Sequence, residues 1–198
     1  MYKKIASIIW LAVFCYAPVN ATAANISWSY IDGGPAYFDP DVDGADSEVG
    51  FALRGSYAIA SRWYVTGGFS AIEFEASGPD VEVSAFTVGG GYVFPVKPNV
   101  DAFAQGSLVF ANTERGTVDE DELGIEAKGG VRASVAPRVE ALGFVAFMDI
   151  DNPFEDGIEI GGGGLYHVNR QFSVGGELTL DSNLVDGTEL LFLARFNF

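Results

Sequence analysis

Residues 39–44 read Asp-Pro-Asp-Val-Asp-Gly. Three alternating carboxylates ahead of a glycine are how a calcium-wrapping helix–loop–helix site begins. Such a loop also needs a bidentate glutamate at its twelfth position and a helix on either side. Counted from Asp39, that position is Gly50, and no helical period flanks the stretch. Asp39, Asp41 and Asp43 therefore read as the solvated tip of a connection, punctuated by Pro40 and Gly44. A second acidic run, Asp119-Glu120-Asp121-Glu122, crowds carboxylates in the same way. Crowded carboxylates attract Ca²⁺ or Mg²⁺ weakly, without a fixed cage. Solvated charge is the simpler account of both stretches, and neither is expected to be a dedicated metal centre.

Nucleophilic chemistry has few residues to draw on. The chain has one histidine, His167, and one cysteine, Cys15. A serine or cysteine hydrolase needs a base beside its nucleophile. His167 lies just before a short Val168-Asn169 turn, away from the acidic runs, and reads as an imidazole on the rim. No catalytic residue and no cofactor is expected, so the chain is read as non-enzymatic. The formal net charge is −16, which repels phosphate backbones and argues against a nucleic-acid partner.

The first residues must be set aside before the fold is considered. Lys3 and Lys4 precede an apolar run from about Ile5 to Val19, followed by Asn20-Ala21-Thr22-Ala23. A basic start, a short apolar stretch and an A-x-A ending describe a secretory signal peptide, residues 1–23, cleaved after Ala23. Cys15 falls inside it, so residues 24–198 are expected to carry no disulfide and no thiolate. No stretch of that remainder is apolar enough for a membrane-crossing helix.

What remains alternates with period two. In Val49 to Ile59, Val49, Phe51, Leu53, Tyr57 and Ile59 share one face while Arg54 and Ser56 share the other. That is the pattern of a strand with one apolar side. About ten such segments follow one another, near 25–33, 48–60, 63–75, 83–95, 99–111, 123–135, 138–149, 157–168, 172–182 and 188–198; eight is the alternative count. They are longer than ordinary soluble strands and match strands tilted across a bilayer. Connections alternate between tight turns, each with a basic residue (Arg62, Lys97, Arg138, Arg170), and longer acidic stretches near 34–48, 76–82, 112–122, 150–156 and 183–187. Asp32 is grouped with the acids of the first long connection. Glycine clusters at Gly89–Gly91, Gly129-Gly130 and Gly161–Gly164 recur once per hairpin and are expected to let strands curve.

In lipid every backbone N–H and C=O must be paired within the protein, which a sheet achieves only by closing. The expected fold is all-β: an antiparallel up-and-down transmembrane barrel. Its apolar face, with Trp63, Val65, Phe69, Phe86, Val88 and Ile125, points to lipid. Its polar face puts Arg54, Asp101, Glu126, Lys128, Arg132, Glu140, Glu159, Glu177 and Arg195 into the lumen, as a paired charge network rather than a filter of one sign. The third segment needs a bulge near Ala71 to turn both Phe69 and Phe74 outward. The seventh, Val139 to Met148, is apolar on both faces. A secreted soluble barrel with its apolar residues inside is the competing reading.

The last segment places Leu190, Phe192, Ala194, Phe196 and Phe198 on one face and ends on Phe198. An alternating terminal strand ending in Phe, behind an export signal, resembles the small OmpA-like or porin-like outer-membrane β-barrel domains of Gram-negative bacteria. The segments SYIDGG at 29–34 and GFALRGSYAIASRWYVTGGFS at 50–70 carry the same resemblance. It implies residence in the outer membrane, outer-membrane lipid as solvent, and Phe192, Phe196 and Phe198 as the signal read by the barrel-assembly machinery. It implies no particular activity.

A ten-strand barrel is far smaller than the porins that hold a wide aqueous channel. The expected role is therefore structural, in the envelope or at its surface, by a monomer whose lumen is largely filled by paired charges. The alternatives are a narrow porin-like channel for small solutes, or an adhesin working through its loops.

Overall fold

Alternation along the last strand translates directly into two surfaces. In β10 (Gly187–Asn197), Leu191, Leu193 and Arg195 are buried, whereas Phe192, Phe196 and the adjoining Phe198 are exposed. The other strands do the same. They are β1 (Tyr30–Pro40), β2 (Glu48–Ala58), β3 (Trp63–Phe74), β4 (Val81–Lys97), β5 (Val100–Arg115), β6 (Val118–Ala136), β7 (Val139–Ile150), β8 (Gly157–His167) and β9 (Phe172–Asp181). This is a computed structural model, and it describes residues 26–40, 47–74, 81–116, 118–150, 157–181 and 187–198.

All ten strands form one closed antiparallel barrel in which each pairs with its sequence neighbours and β1 pairs with β10. The seam runs from Tyr30 opposite Asn197 to Pro40 opposite Gly187. The outer surface is apolar around the whole ring: Leu53, Trp63, Val88, Phe110, Ile125, Val145, Leu178 and Phe192 are each about half exposed. Aromatic rings gather outside the tight-turn end, where Trp63 meets Tyr92 edge-on at 4.9 Å and Tyr57 stacks on Phe198 at 6.3 Å. Such a belt suits a membrane interface. With apolar groups outside and charges inside, the soluble-barrel alternative is inverted and falls away.

Several expectations are corrected. The first strand is not 25–33: it begins at Tyr30 and continues through Gly33-Gly34-Pro35 to Pro40. Those three residues look like a turn but are held in register on both sides, by Phe51 opposite Pro35 and Ala194 opposite Gly33. Asp39 is thus a strand residue whose carboxylate accepts the Ser47 hydroxyl at 3.0 Å, not a loop tip. Asp41 and Asp43 lie outside the described residues.

Most of the acidic stretch 112–122 is also strand: β5 runs on to Arg115 and β6 begins at Val118, with Asp121 opposite Asn112 and Asp119 opposite Glu114. Beyond the apolar band both faces of such strands meet water, so the apolar alternation that marks a strand disappears. The bulge expected near Ala71 is absent: β3 keeps one register with β4 from Trp63 to Phe74. Phe74 consequently turns inward, edge-on to the buried Phe38 at 5.9 Å. The register shifts fall instead at the tight-turn end, between Pro95 and Lys97 and between Ser134 and Ala136. In β7, Glu140, Phe144, Ala146 and Ile150 face in while Val145 and Phe147 face out. Both faces are indeed apolar there, and Glu140 alone marks the inner one.

Candidate functional site

Inside the barrel, large rings fit because the residue directly across the strand pair is glycine. Tyr64 lies opposite Gly91, Phe103 opposite Gly130 and Phe144 opposite Gly161. A Cβ added at Gly91 would stand 2.4 Å from the Tyr64 ring, one at Gly130 2.7 Å from Phe103, and one at Gly161 2.3 Å from Phe144. The glycine clusters therefore make space for particular rings, a more specific use than general curvature.

Between these rings runs a belt of ion pairs. Asp32, 1% exposed, accepts the Arg54 Nε at 3.0 Å and the Arg195 Nε at 2.8 Å, with Arg195 Nη2 against the same carboxylate. Arg54 reaches on to Glu177 with both terminal nitrogens, at 2.8 and 3.3 Å. Arg132 donates its Nε to Glu140 at 2.8 Å, and Arg195 Nη1 lies 3.7 Å from that same Glu140. Asp32, Arg54, Glu177, Arg195, Glu140 and Arg132 thus connect β1, β2, β9, β10, β7 and β6 across the lumen. A second group joins Lys128 to Glu126 at 3.0 Å and to Glu159 at 3.7 Å, with the ammonium 4.6 Å above the Phe144 ring. Glu126 also accepts Gln105 Nε2 at 3.2 Å and the Ser107 hydroxyl at 3.1 Å. Pairing with added hydrogen bonds is what allows such charges to leave water.

Of the nine charged residues placed in the lumen from sequence, eight belong to these two groups. Asp101 stands apart and accepts the Trp28 indole N–H at 3.0 Å. Asp32 was assigned to the outside loops and is instead the most buried charge of the belt. The apparent turn after it disguised its strand. A usable signal existed, since Arg54 and Arg195 both face in and need a carboxylate where β1 runs between them.

Trp28 is the other residue that sequence reasoning missed. Ile26–Ser29 is not strand but crosses the tight-turn end of the barrel. The Ser56 hydroxyl donates to the Trp28 carbonyl at 2.8 Å, and Arg132 Nη1 donates to the Ser27 carbonyl at 2.9 Å. These bonds draw the indole inward, where it stacks on Tyr64 at 4.7 Å, meets Phe103 edge-on at 5.5 Å and lies 4.5 Å from the Arg132 guanidinium.

Toward the loop end the lumen opens into a cavity of about 320 Å³. Phe38, Phe74, Ile72 and Leu191 form its apolar upper wall, Lys128, Glu159, Glu177 and Arg54 its charged middle, and Trp28, Tyr64 and Phe103 its floor.

His167 ends β8 at the tight-turn end, as expected, but its imidazole turns inward. Its Nδ1 lies 2.7 Å from Ser173 Oγ and its Nε2 3.7 Å from Glu140. Serine, histidine and acid are the types of a hydrolytic triad. Yet Ser173 is fully buried, and neither it nor His167 borders the cavity. The trio ties β7, β8 and β9 together. Among the described residues no group of three or more His, Cys, Asp or Glu converges as metal ligands would. Phe192, Phe196 and Phe198 all lie on the outer surface.

Comparison with known proteins agrees with this geometry. A family model described as outer membrane protein beta-barrel domain matches residues 7–159. No curated protein matches the chain by sequence. Among solved structures, the NanC porin superposes with a TM-score of 0.54 at 6% identity, covering 86% of this chain and 100% of that one. An outer membrane channel from Pseudomonas putida F1 gives 0.52 at 10% identity, covering 90% and 98%. OprG from Pseudomonas aeruginosa gives 0.48 at 14% identity, covering 90% and 99%. The first two show a shared barrel fold.

Proposed function

The chain belongs to the outer membrane protein beta-barrel domain family, and from that premise we propose that this integral outer-membrane barrel is closed at rest and non-enzymatic. Its role is structural, in the envelope or at the cell surface. The observation that carries this reading is the belt through Asp32, Arg54, Arg195 and Glu140, which spans the lumen with side chains paired to one another rather than presented to a passing solute. A lumen spanned in this way supports a wall better than a wide aqueous pore.

The remaining assignments follow from the same reading. Residues 1–23 are removed as an export signal. Phe192, Phe196 and Phe198 present the terminal strand to the assembly machinery before membrane lipid covers them. The protein acts as a monomer and uses no cofactor. Divalent ions contact the acidic loop end diffusely, with Asp119 and Asp121 on the protruding hairpin of β5 and β6.

The test is conductance together with a folding control. Refolded protein in detergent should run differently on a gel before and after boiling, and the folded fraction should be silent in planar bilayers. Stable unitary steps from the wild-type chain would overturn the closed-lumen reading.

A further inference from the structure

We infer that the barrel contains a latent path for small cations, closed at the tight-turn end by Trp28 acting as a stopper. This goes beyond the resting role proposed above and concerns what the lumen does once the stopper leaves.

The lumen divides into two unequal halves at the level of the belt. On the side of β1, β2, β9 and β10 the guanidinium groups of Arg54 and Arg195 fill the section, locked on Asp32. On the side of β3 to β6 the belt contributes only Arg132, whose guanidinium lies 4.5 Å from the Trp28 ring. There the cavity continues down past Gln105, Glu126 and Lys128 until it meets Trp28, Tyr64 and Phe103. Tyr64 and Phe103 belong to the wall, each seated over its glycine on the next strand. Trp28 does not belong to the wall. Its ring is carried by a segment outside the sheet and placed across the opening by side-chain contacts. Beyond the indole stands its anchor, Asp101, at the turn-end start of β5. The wall is continuous hydrogen-bonded sheet; the Trp28 ring itself is held by stacking and one N–H bond, on a segment tied to the barrel by Ser56, Arg132 and the Phe198 amide. Withdrawal of Trp28 therefore joins the cavity to the tight-turn mouth without breaking any strand pairing.

Charge selects what would pass. Arg54, Lys128, Arg132 and Arg195 are already matched, within the belt and the second group, by Asp32, Glu126, Glu140, Glu159 and Glu177. These are five carboxylates against four cations, and Asp101 at the lower mouth adds a sixth. A narrow path with surplus negative charge in low-dielectric walls concentrates cations and excludes anions.

The test is planar-bilayer recording in a KCl gradient with wild type, Trp28→Ala, Trp28→Phe and Asp101→Asn. Each is first shown to be folded by the heat-dependent gel shift. Wild type should be silent, and Trp28→Phe, which keeps a ring but loses the N–H that bonds Asp101, should open at least as often as Asp101→Asn. Trp28→Ala should give stable unitary steps whose reversal potential moves toward that of K⁺. Asp101→Asn keeps the ring but weakens its anchor, and should give intermittent openings of the same size. If Trp28→Ala fails to fold, Asp101→Asn decides alone. Folded variants that remain silent would refute the stopper, and a reversal potential toward Cl⁻ would refute the cation path. Conductance by wild type itself would instead count against the closed resting state.

Discussion

Replacing Asp32 with alanine should be the most damaging single change in the lumen. In the wild type its carboxylate holds two guanidinium groups, and its side chain is fully screened from solvent. Arg54 would keep its two-pronged contact with Glu177. Arg195 would not be rescued, because its next carboxylate, Glu140, is 3.7 Å away and already engaged by Arg132. The loss is therefore close to that of one buried cation stripped of its partner, about 3–5 kcal/mol. With a urea slope of about 1–3 kcal/mol/M for a small protein, the midpoint should fall by roughly 1–5 M. The assay is equilibrium urea unfolding in lipid vesicles, followed by tryptophan fluorescence. A second variant isolates the cause. Asp32→Ala combined with Arg195→Leu removes the stranded charge along with its partner, and should recover a large part of the loss. A midpoint unchanged by Asp32→Ala, or a double variant no better than the single one, would refute the view that Asp32 stabilises by holding Arg195.

Other substitutions test other parts of the barrel. Gly161→Ala drives a methyl group into the Phe144 ring and should cost about 1–3 kcal/mol, whereas Gly143→Ala, whose Cβ meets nothing within 4 Å, should cost under about 1 kcal/mol; equal midpoints would remove the ring-seat argument. Arg138 holds φ 68° at a tight turn, so Arg138→Gly should stabilise by about 1 kcal/mol in the same unfolding assay. Deleting Phe198 should slow assembly in the cell without altering the unfolding midpoint of protein refolded in vitro, measured by the fraction showing the heat-dependent gel shift after a pulse of synthesis.

The sequence revealed strands wherever one face met lipid. Val49 to Ile59 and Leu190 to Phe198 declare their two sides because an apolar solvent covers one of them. Where β5 and β6 rise past the apolar band, Asn112 and Asp121 face water on both sides, and nothing distinguishes such a strand from a loop. The charged lumen residues were legible one by one, since a charge on a bilayer-spanning strand has only one face available to it. Their pairing was less legible, because it depends on register, which is a property of the closed ring. Asp32 shows the limit: Gly33-Gly34-Pro35 carries the local chemistry of a turn, and only the hydrogen bonds of β10 and β2 on either side override it. Trp28 was hidden for another reason. Ile26 to Tyr30 alternates like a strand, yet its position is set by contacts with Ser56 and Arg132, which are distant in sequence.

The Asp32–Arg195 pair also acts as an index mark for the final stitch of the barrel. β1 and β10 are the first and last of the ten strands, and nothing local tells them where to meet. A slip of one residue would invert one of the two strands and turn either Asp32 or Arg195 toward lipid together with the other inward residues of its strand. A slip of two would keep the faces but carry the carboxylate about 7 Å from the guanidinium. Leucine opposite leucine would forgive the second error; aspartate opposite arginine, at Asp32 and Arg195, does not. The contact that closes the ring is thus also the one that checks whether it has closed in the correct place.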